Sequence, residues 1–380
     1  MPHTATSPSD PPALVVKRGV CHALFAYEAG FSIDLDRAQE HITTLKERAS
    51  IRHKRRTPSY FEYRPPPLRV MLDAQPVTVG PRQTATSIDA LVYDFGAISV
   101  RYTIELEGGF DDLIALSEAL YENERLLADS RRRVDRIVAD IHPAISRPRI
   151  ASFVEPYAIF QIEELATPVS PATLLANRAL ELAQVLRSER TPLSREEVND
   201  AVAQRISFRP DDLTLIDWDA ALVFDRDADD IRNVLEYANV ELLEMRFLDQ
   251  RLDDALDESY ERLSRRPFGF WQMPGSARAT LRRIGQLQVE NAVLFEGVNN
   301  ALKLLGDQYL ARVYRLVSER FHLAEWDASI LRKIQTLESI YQKVADQAAN
   351  RRTEVLEWII IVLIAAEIVL PFLPRLAHVR

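Results

Sequence analysis

The sequence predicts an α+β fold that continues into a helical stalk and ends in one C-terminal transmembrane helix. Three observations support this prediction. Short apolar runs mix with helical patterns through the first 225 residues, without regular βαβ spacing. A heptad-like apolar stripe then follows, and an almost uncharged segment lies near the C-terminus. The predicted parts are a disordered N-terminus (1–12), an α+β domain (13–225), a helical hairpin or coiled-coil stalk (226–352), a transmembrane helix (353–374) and a short tail (375–380).

Composition narrows the classes of protein that this chain can belong to. Only 11 of the 380 residues are glycine, which favours long helices over Gly-rich ligand loops. The net charge of −9 argues against broad, non-specific attraction to nucleic acid. Cys21 is the only cysteine, so an internal disulfide and a cysteine-based metal cluster are both excluded. The first 18 residues lack an apolar core after a basic start, so no secretory signal is expected.

In the α+β part, strands are predicted where apolar residues alternate or run continuously between turn residues. The predicted strands are residues 20–27, 68–72, 88–95, 97–106, 213–216 and 220–224. Residues 149–163 are predicted to form either a pair of strands or one long bent strand interrupted at Pro156. The predicted helices are residues 34–49, 110–141, 171–187 and 194–205. Asp34 or Asp36 can cap the first helix, and Ser194 with Glu197 three residues later matches a capping box.

The second half predicts long helices over residues 228–266 and 276–321, separated by a proline-containing break. A further helix begins near Trp326 and carries apolar residues at alternating spacings of four and three. These residues are Ile330, Ile334, Leu337, Tyr341, Val344 and Ala348. The stripe is compatible with antiparallel packing within one chain, with pairing between chains, or with both. Pairing between chains predicts a homo-oligomer held together through the stalk.

The predicted membrane anchor is residues 355–373, nineteen residues with Glu357 and Glu367 as the only charges. A helix of this length spans roughly 28 Å, close to the thickness of a bilayer core. Trp358 suits a membrane interface, and Pro371 ends the helix. Glu367 either contacts another helix or lies near the far interface. The prediction is a single-pass protein of the bacterial inner membrane with its bulk in the cytoplasm; a buried core helix is the alternative.

A basic cluster gives a possible surface for an anionic partner. Arg52, Lys54, Arg55 and Arg56 lie within a stretch of six basic residues and one Glu, and aromatic residues follow it. Such a cluster can bind RNA, a ribosome or anionic lipid headgroups, and it is also typical of a solvated helix end.

An acidic stretch approximates a calcium-binding loop. Asp225, Asp227, Asp229 and Glu236 hold the first, third, fifth and twelfth positions of that pattern. The sixth position, which needs glycine for a sharp turn, is Asp230. We therefore interpret the acidic residues as a helix start, where negative charge meets the helix dipole.

Three segments together resemble a known family. They are an alternating strand with an aromatic-Gly element (93–106), a long helix (225–253) and a Leu-Glu-Trp entry to an apolar run that later carries a Glu (351–368). These segments resemble the required-for-meiotic-nuclear-division proteins over roughly residues 20–370. The resemblance implies a membrane-tethered scaffold or adaptor. The mitochondrial members of that family are associated with the inner membrane and with support of organellar translation, so the resemblance also implies roles of this kind. It supplies no catalytic residue.

The sequence thus predicts a non-enzymatic, membrane-tethered scaffold or adaptor without a cofactor or metal. Two alternatives stay open. The first is an adaptor that binds RNA or a ribosome through the basic cluster. The second is an enzyme whose active site lies in the α+β part, and a cleft there with a strongly shifted carboxylate or histidine would favour it. No nucleotide-binding, zinc or serine-hydrolase motif is present in the sequence.

Overall fold

The computed structural model describes residues 14–42, 46–48, 65–264 and 308–369, together with the helical positions 282, 285, 286 and 289. It divides the chain into two compact units. The first consists of Met1–Leu248 with Ala292–Asp327, and the second consists of Asp249–Asn291 with Ala328–Arg380. The two units are described separately below.

A large sheet forms the centre of the first unit. The described strands are β1 (Val15–Glu28), β2 (Ser32–Ile33), β3 (Lys46–Arg48), β4 (Leu68–Asp73), β5 (Thr78–Val79), β6 (Arg82–Gln83), β7 (Ser87–Val92), β8 (Ala97–Gly109), β9 (Ile145–Ser146), β10 (Glu155–Leu165), β11 (Arg205–Ile206), β12 (Leu213–Ile216) and β13 (Ala220–Phe224). Nine of them form one sheet in the order β11-β12-β13-β10-β1-β8-β7-β4-β3. Within it β10 and β13 run parallel, and the other described pairings are antiparallel.

The described helices are α1 (Leu35–His41), α2 (Phe110–Leu120), α3 (Glu124–Asp140), α4 (Pro171–Arg187), α5 (Arg195–Ala201), α6 (Asp229–Ser264), α7 (Gln308–Arg320) and α8 (Leu323–Val369). Helix α1 begins where the carboxylate of Asp34 accepts hydrogen bonds from two backbone N–H groups. Helix α5 begins at Ser194, whose Oγ accepts from the N–H of Glu197 at 3.2 Å. Both starts follow the predicted caps, because short polar side chains satisfy the free N–H groups of a first helical turn.

Alternation along β1 divides the first unit into layers. Cys21, Ala23 and Phe25 point to one face, where they join the apolar core that includes residues of α1 to α4. Leu24 packs on the opposite face with α6 and α7, and Ala26 packs there with the middle of α6. Successive strand residues point to opposite faces, so the central strands are buried by helices on both sides.

The turn between β7 and β8 needs glycine. Gly96 has a φ of +110°, and a Cβ at this position would lie 1.8 Å from the carbonyl oxygen of Gly30. A side chain would therefore meet both backbone strain and a steric clash. The predicted pair of strands around Gly96 is present as β7 and β8, which pair antiparallel.

In the second unit, the later part of α6 packs with α8. Leu252, Ile330 and Leu337 are buried there. Lys333 Nζ lies 2.7 Å from carboxylate oxygens of both Asp249 and Asp253. Ser329 donates to Asp249, and Lys333, four residues later on α8, contacts Asp253, four residues later on α6. The contacts follow the same order along both helices, so these parts of α6 and α8 run in the same direction, not antiparallel.

Two predicted helices are interrupted. The helix expected over residues 110–141 is divided, because α2 ends at Leu120 and Asn123 caps α3 by accepting from the N–H of Leu126. Between them Glu122 has a φ of +48°, which a continuous helix cannot contain. The helix expected over residues 34–49 ends at His41, and residues 46–48 form β3, which pairs with β4.

The predicted fold class is wrong at its C-terminal element. Among the residues that the structure describes, no helix is long and apolar enough to cross a membrane. The physical reason is charge, because the described end of α8 carries Arg352, Glu354, Glu357 and Glu367 within its last 18 residues. Between the last two glutamates the uncharged run is only about 13 Å long, against about 30 Å for a bilayer core. The single-pass anchor and the predicted membrane location are therefore corrected.

Candidate functional site

Four charged side chains and one serine lie between the second face of the sheet and α6. We call this set, Asp89, Ser99, Arg101, Arg232 and Glu236, the charge layer. Strand register brings the first of them together, because Asp89 on β7 lies directly opposite Arg101 on β8. Ser99 points to the same face two residues earlier. Glu236 and Arg232 come from the first turns of α6.

Arg101 is the centre of the charge layer. Its Nη1 donates to Glu236 Oε2 at 2.7 Å and its Nη2 donates to Asp89 Oδ2 at 2.8 Å. The other oxygen of each carboxylate is also bound: Ser99 Oγ donates to Glu236 Oε1 at 2.7 Å, and Arg69 Nη2 donates to Asp89 Oδ1 at 2.9 Å. The side chains of Arg101 and Glu236 are only 6% and 1% exposed. Arg101, Glu236 and Asp89 therefore each have an opposite charge and several hydrogen bonds, whereas Arg232 Nε is buried without a hydrogen-bond partner among the described residues.

The pKa shifts agree with this pairing. Burial alone would raise the pKa of Asp89, but Arg101 and Arg69 outweigh it and hold that pKa below its ordinary value. Burial would likewise lower the pKa of Arg101, and the carboxylates of Glu236 and Asp89 reverse the effect and raise it. Asp89 and Arg101 therefore stay charged at neutral pH, and this pairing suits a structural ion-pair network better than proton transfer.

His22 on β1 lies near the charge layer and is buried. Burial lowers the pKa of its imidazole well below the ordinary value, and the positive charges of Arg232 and Arg101 lower it further. A hydrogen bond with the side chain of Gln161 acts in the opposite direction. His22 is therefore neutral at pH 7. Its Nδ1 has no hydrogen-bond partner within the described part of the chain.

A pair of buried carboxyl groups, Glu28 and Glu244, lies farther along α6, and we call it the carboxyl pair. Glu28 ends β1 and Glu244 points to it from α6, and each residue is 4% exposed. Burial raises the pKa of Glu244 to about 7, and the hydrogen bond with Glu28 lowers it only in part. Burial favours the uncharged form of a carboxyl group, which is why this pKa rises.

Two more carboxyl groups near the carboxyl pair have raised pKa values. Burial raises the pKa of Glu155 to about 7 against the opposing charge of Arg246. It also raises the pKa of Glu241 to about 7, although Tyr314 OH donates to Glu241 Oε2 at 2.6 Å. Such groups can hold and release protons near neutral pH. Both are buried: Glu155 is bound by Arg246 of α6, and Glu241 lies on α6 against Tyr314 of α7.

The acidic stretch at the start of α6 does not converge into a calcium loop. Asp225 Oδ1 accepts from Arg209 Nη2 at 2.8 Å, and Asp229 Oδ1 lies 2.8 Å from Arg232 Nη1. Glu236 points into the sheet toward Arg101. Within the residues that the structure describes, no three His, Cys, Asp or Glu side chains are placed to hold a metal ion.

A second ion-pair network joins α4, α5 and α7, and we call it the Asp217 network. Asp217 is fully buried in the turn between β12 and β13. Its Oδ2 lies 2.7 Å from Arg187 Nε, and its Oδ1 accepts from Arg320 Nε at 2.7 Å. Arg320 Nη2 also donates to Asp200 at 2.7 Å. Two carboxylates, Asp217 and Asp200, and two arginines thus connect three helices to the sheet.

The site residues predicted from the sequence do not belong to these networks. Trp358 and Glu367 lie on α8, where both are exposed. Pro371 lies outside the described residues, as do Arg52, Lys54, Arg55 and Arg56, all four members of the predicted anionic-partner patch.

Sequence reasoning missed the charge layer and the carboxyl pair. A signal for the charge layer was available in β8, where Ser99, Arg101 and Thr103 alternate with apolar residues. That alternation is typical of a strand with one face in water. The alternation does not reveal that a helix covers this polar face. The covering helix is distant in the sequence, since Glu236 lies 135 residues after Arg101.

Comparison with known proteins places this sequence in a family. A family model described as "Uncharacterized protein MJ0711, N-terminal domain" matches residues 18–230, more than half of the chain. The chain belongs to this family. The matched region begins in β1 and ends in the first turn of α6, so it contains the described sheet apart from the first three residues of β1.

A relative is known from Methanocaldococcus jannaschii, where it is named Uncharacterized protein MJ0711. It is 25% identical over 221 residues, which cover 57% of this chain and 66% of the relative. The chain therefore spans just under two thirds of that relative's length. No solved structure matches the chain.

The resemblance to the required-for-meiotic-nuclear-division proteins is wrong, because the family that matches is a different one. Two of the three segments behind it, residues 93–106 and 225–253, are an alternating strand and an amphipathic helix, patterns that many families share. The third, residues 351–368, lies outside the matched region. The inner-membrane and translation roles that the resemblance implied are withdrawn with it.

Proposed function

We propose that this protein is a non-enzymatic scaffold or adaptor that self-associates through the end of α8. The observation behind the proposal is the exposure of residues 356–368, which we call the apolar segment. Nine of its large apolar side chains are 49–66% exposed within the chain. They are Leu356, Trp358, Ile359, Ile360, Ile361, Val362, Leu363, Ile364 and Ile368. Exposed apolar surface of this extent is typical of interaction sites.

The spacing of residues supports a second copy of the chain as the partner. Ile330, Ile334 and Leu337 are buried in the second unit and begin a stripe with alternating spacings of four and three. In the sequence, the same alternating spacing continues from Leu337 through Val344 to Val362 in the apolar segment. Arg351 is the one charged residue at these positions. A sustained register of this kind is the pattern of helices that pair along a common seam.

An identical helix is the simplest complement to this seam. When two copies lie parallel, every register position meets its own equivalent, so the exposed apolar segments cover each other over their full length. A different protein would have to supply an apolar helix of the same length and register. The proposal retains the predicted homo-oligomer and leaves out membrane attachment.

The test compares two substitutions on the same stretch of α8. Val362→Glu places a carboxylate in the seam, while Ile360→Glu places it two residues away on the outer side. The two positions are similarly exposed, at 60% and 55%. We expect Val362→Glu to weaken self-association at least about hundredfold, because an unpaired buried carboxylate costs several kcal/mol per chain.

Sedimentation velocity over a concentration series measures this effect on the full chain. The Ile360→Glu variant is expected to keep the oligomer of the unmodified chain. A monomeric unmodified chain at micromolar concentration would contradict the proposal, and so would equal dissociation by both variants. Circular dichroism of each variant shows whether the α+β part is still folded.

A further inference from the structure

We propose that Glu241 makes the contact between α6 and α7 sensitive to pH: the neutral carboxyl group holds the two helices together, and ionisation of this group loosens them. This inference goes beyond the proposed scaffold function and does not depend on it. It concerns the first unit, whereas self-association concerns the end of α8 in the second unit.

The contact is centred on a hydrogen bond between two buried side chains. Tyr314 OH on α7 donates to Glu241 Oε2 on α6 at 2.6 Å, and both residues are more than nine-tenths buried. Leu242 of α6 and Val313 and Val317 of α7 are buried in the same apolar cluster as Tyr314. In such an interface a hydrogen bond is strong, and a charge without an opposite charge is costly.

Glu241 differs from two other buried glutamates in the charge of its partner. Glu236 on the same helix is bound by Arg101, and Glu155 is bound by Arg246. The partner of Glu241 is a neutral phenol group. A buried carboxyl group that lacks a cation partner favours its uncharged form.

The charged groups on the surrounding helices give Glu241 no ion pair within the part of the chain that the structure describes. Of the three arginines of α7, two are exposed and the third, Arg320, belongs to the Asp217 network. On α8, Asp327 acts on Glu241 as a negative charge, and Asp327 Oδ1 is buried without a hydrogen-bond partner among the described residues. On α6 itself, Glu244 lies one turn later and is another buried carboxyl group. An ionised Glu241 would therefore have acidic neighbours on both α6 and α8.

The direction of the pH effect follows from this environment. Burial raises the pKa of Glu241 from an ordinary value of 4.5 to about 7; the hydrogen bond from Tyr314 opposes the rise, and the charge of Asp327 adds to it. When α7 separates from α6, water reaches the carboxyl group and its pKa returns to the ordinary value. The closed contact is therefore fully stabilised below pH 4.5, and this stabilisation is lost as the pH rises to about 7.

Amide hydrogen exchange of α7 residues 310–318 in the full chain tests the proposal, under conditions in which exchange reports the opening equilibrium. After correction for the intrinsic exchange rates, one group with these two pKa values makes opening about tenfold more favourable at pH 8 than at pH 6. Glu241→Gln cannot ionise, and its amide oxygen can accept from Tyr314. We expect this variant to show a pH 8 to pH 6 ratio about tenfold smaller than that of the unmodified chain. An unchanged ratio would overturn the proposal.

Two further variants should move the titration midpoint of Glu241 in opposite directions. Tyr314→Phe removes a hydrogen bond that favours the ionised carboxylate, so the pKa of Glu241 should rise. Asp327→Asn removes a negative charge, so the same pKa should fall. The infrared band of the protonated carboxyl group, followed against pH, measures both shifts when each spectrum is compared with that of the same variant carrying Glu241→Gln. Absence of this band from the unmodified chain at pH 6 would contradict the proposal.

The matched control is Glu319→Gln, which changes an exposed carboxylate on α7 and should keep the pH 8 to pH 6 ratio of the unmodified chain. Circular dichroism shows whether each variant is folded. If Glu241→Gln does not fold, Asp327→Asn tests the same titration by hydrogen exchange, because it leaves the hydrogen bond between Glu241 and Tyr314 in place. In that variant the pH at which α7 loosens should be lower, and an unchanged pH would overturn the proposal.

Discussion

Replacing Arg101 with methionine is expected to lower the free energy of unfolding by about 3–5 kcal/mol, the usual cost of removing one partner from a buried ion pair. The guanidinium bridges Glu236 and Asp89 at 2.7 and 2.8 Å. Without it Ser99 is the one hydrogen-bond partner that Glu236 keeps among the described residues, and the Glu236 side chain is only 1% exposed. Urea unfolding at pH 7, followed by circular dichroism, measures the loss.

Two companion variants separate the buried charge from a general effect of losing arginine. Arg132→Met removes a guanidinium that is 69% exposed and bound to Asp129, so we expect a loss of about 1 kcal/mol or less. Adding Glu236→Gln to Arg101→Met neutralises the orphaned carboxylate and should recover part of the loss. A loss below about 1 kcal/mol for Arg101→Met would show that the charge layer contributes little to the stability of α6 on the sheet.

Local elements were predictable because their signals are local. Strand β13 covers the predicted residues 220–224, and Ser194 caps α5 as its spacing with Glu197 indicated. Gly96 was identified as the turn between two strands, since a backbone with positive φ favours glycine. The break between α2 and α3 was missed because the apolar pattern continues across it. Only the cap at Asn123 marks the new helix, and a single Asn is a weak signal.

The charge layer could not be predicted, because it depends on a contact between residues far apart in the sequence. From the local pattern, Ser99 and Arg101 are expected on the solvent-exposed face of a two-layer sheet. Glu236 is expected on the exposed side of an amphipathic helix. Each interpretation is reasonable alone. Only the placement of α6 over β7 and β8 turns two polar faces into one buried network. A similar pattern in either segment alone would not distinguish burial from solvation.

The C-terminal anchor was wrong for a different reason. The predicted segment, residues 355–373, contains Glu357 and Glu367, and further charges lie just before it at residues 351, 352 and 354. The apolar residues near the end of α8 have a high mean hydropathy, which suggested a lipid bilayer as their partner. Their exposure in the structure is equally compatible with another helix as the partner. In the described part of α8 the charges are too close together for a bilayer span, while the heptad register remains compatible with another helix.

Replacing Asp217 with alanine is expected to destabilise the first unit by about 3–5 kcal/mol, because it leaves two arginines around a buried position without their central carboxylate. Arg187 and Arg320 keep Asp200 as a partner, and that carboxylate is half exposed and more easily screened. The alanine also removes the acceptor that Asp217 Oδ1 provides to the N–H of Trp218 at 2.8 Å. Thermal and urea unfolding of the full chain measure the change.

The control is Asp211→Ala, which removes an 82% exposed carboxylate that lies 3.6 Å from Arg209 in the same region, and about 1 kcal/mol or less is expected. A double-mutant cycle with Arg320→Met should give a coupling energy of about 1–3 kcal/mol between Asp217 and Arg320. Arg320 lies on α7, beyond the family-matched region that ends at residue 230. A coupling near zero would mean that the Asp217–Arg320 pair does not help to hold α7 on the sheet. A large coupling would mean that a residue outside the matched region stabilises a carboxylate inside it.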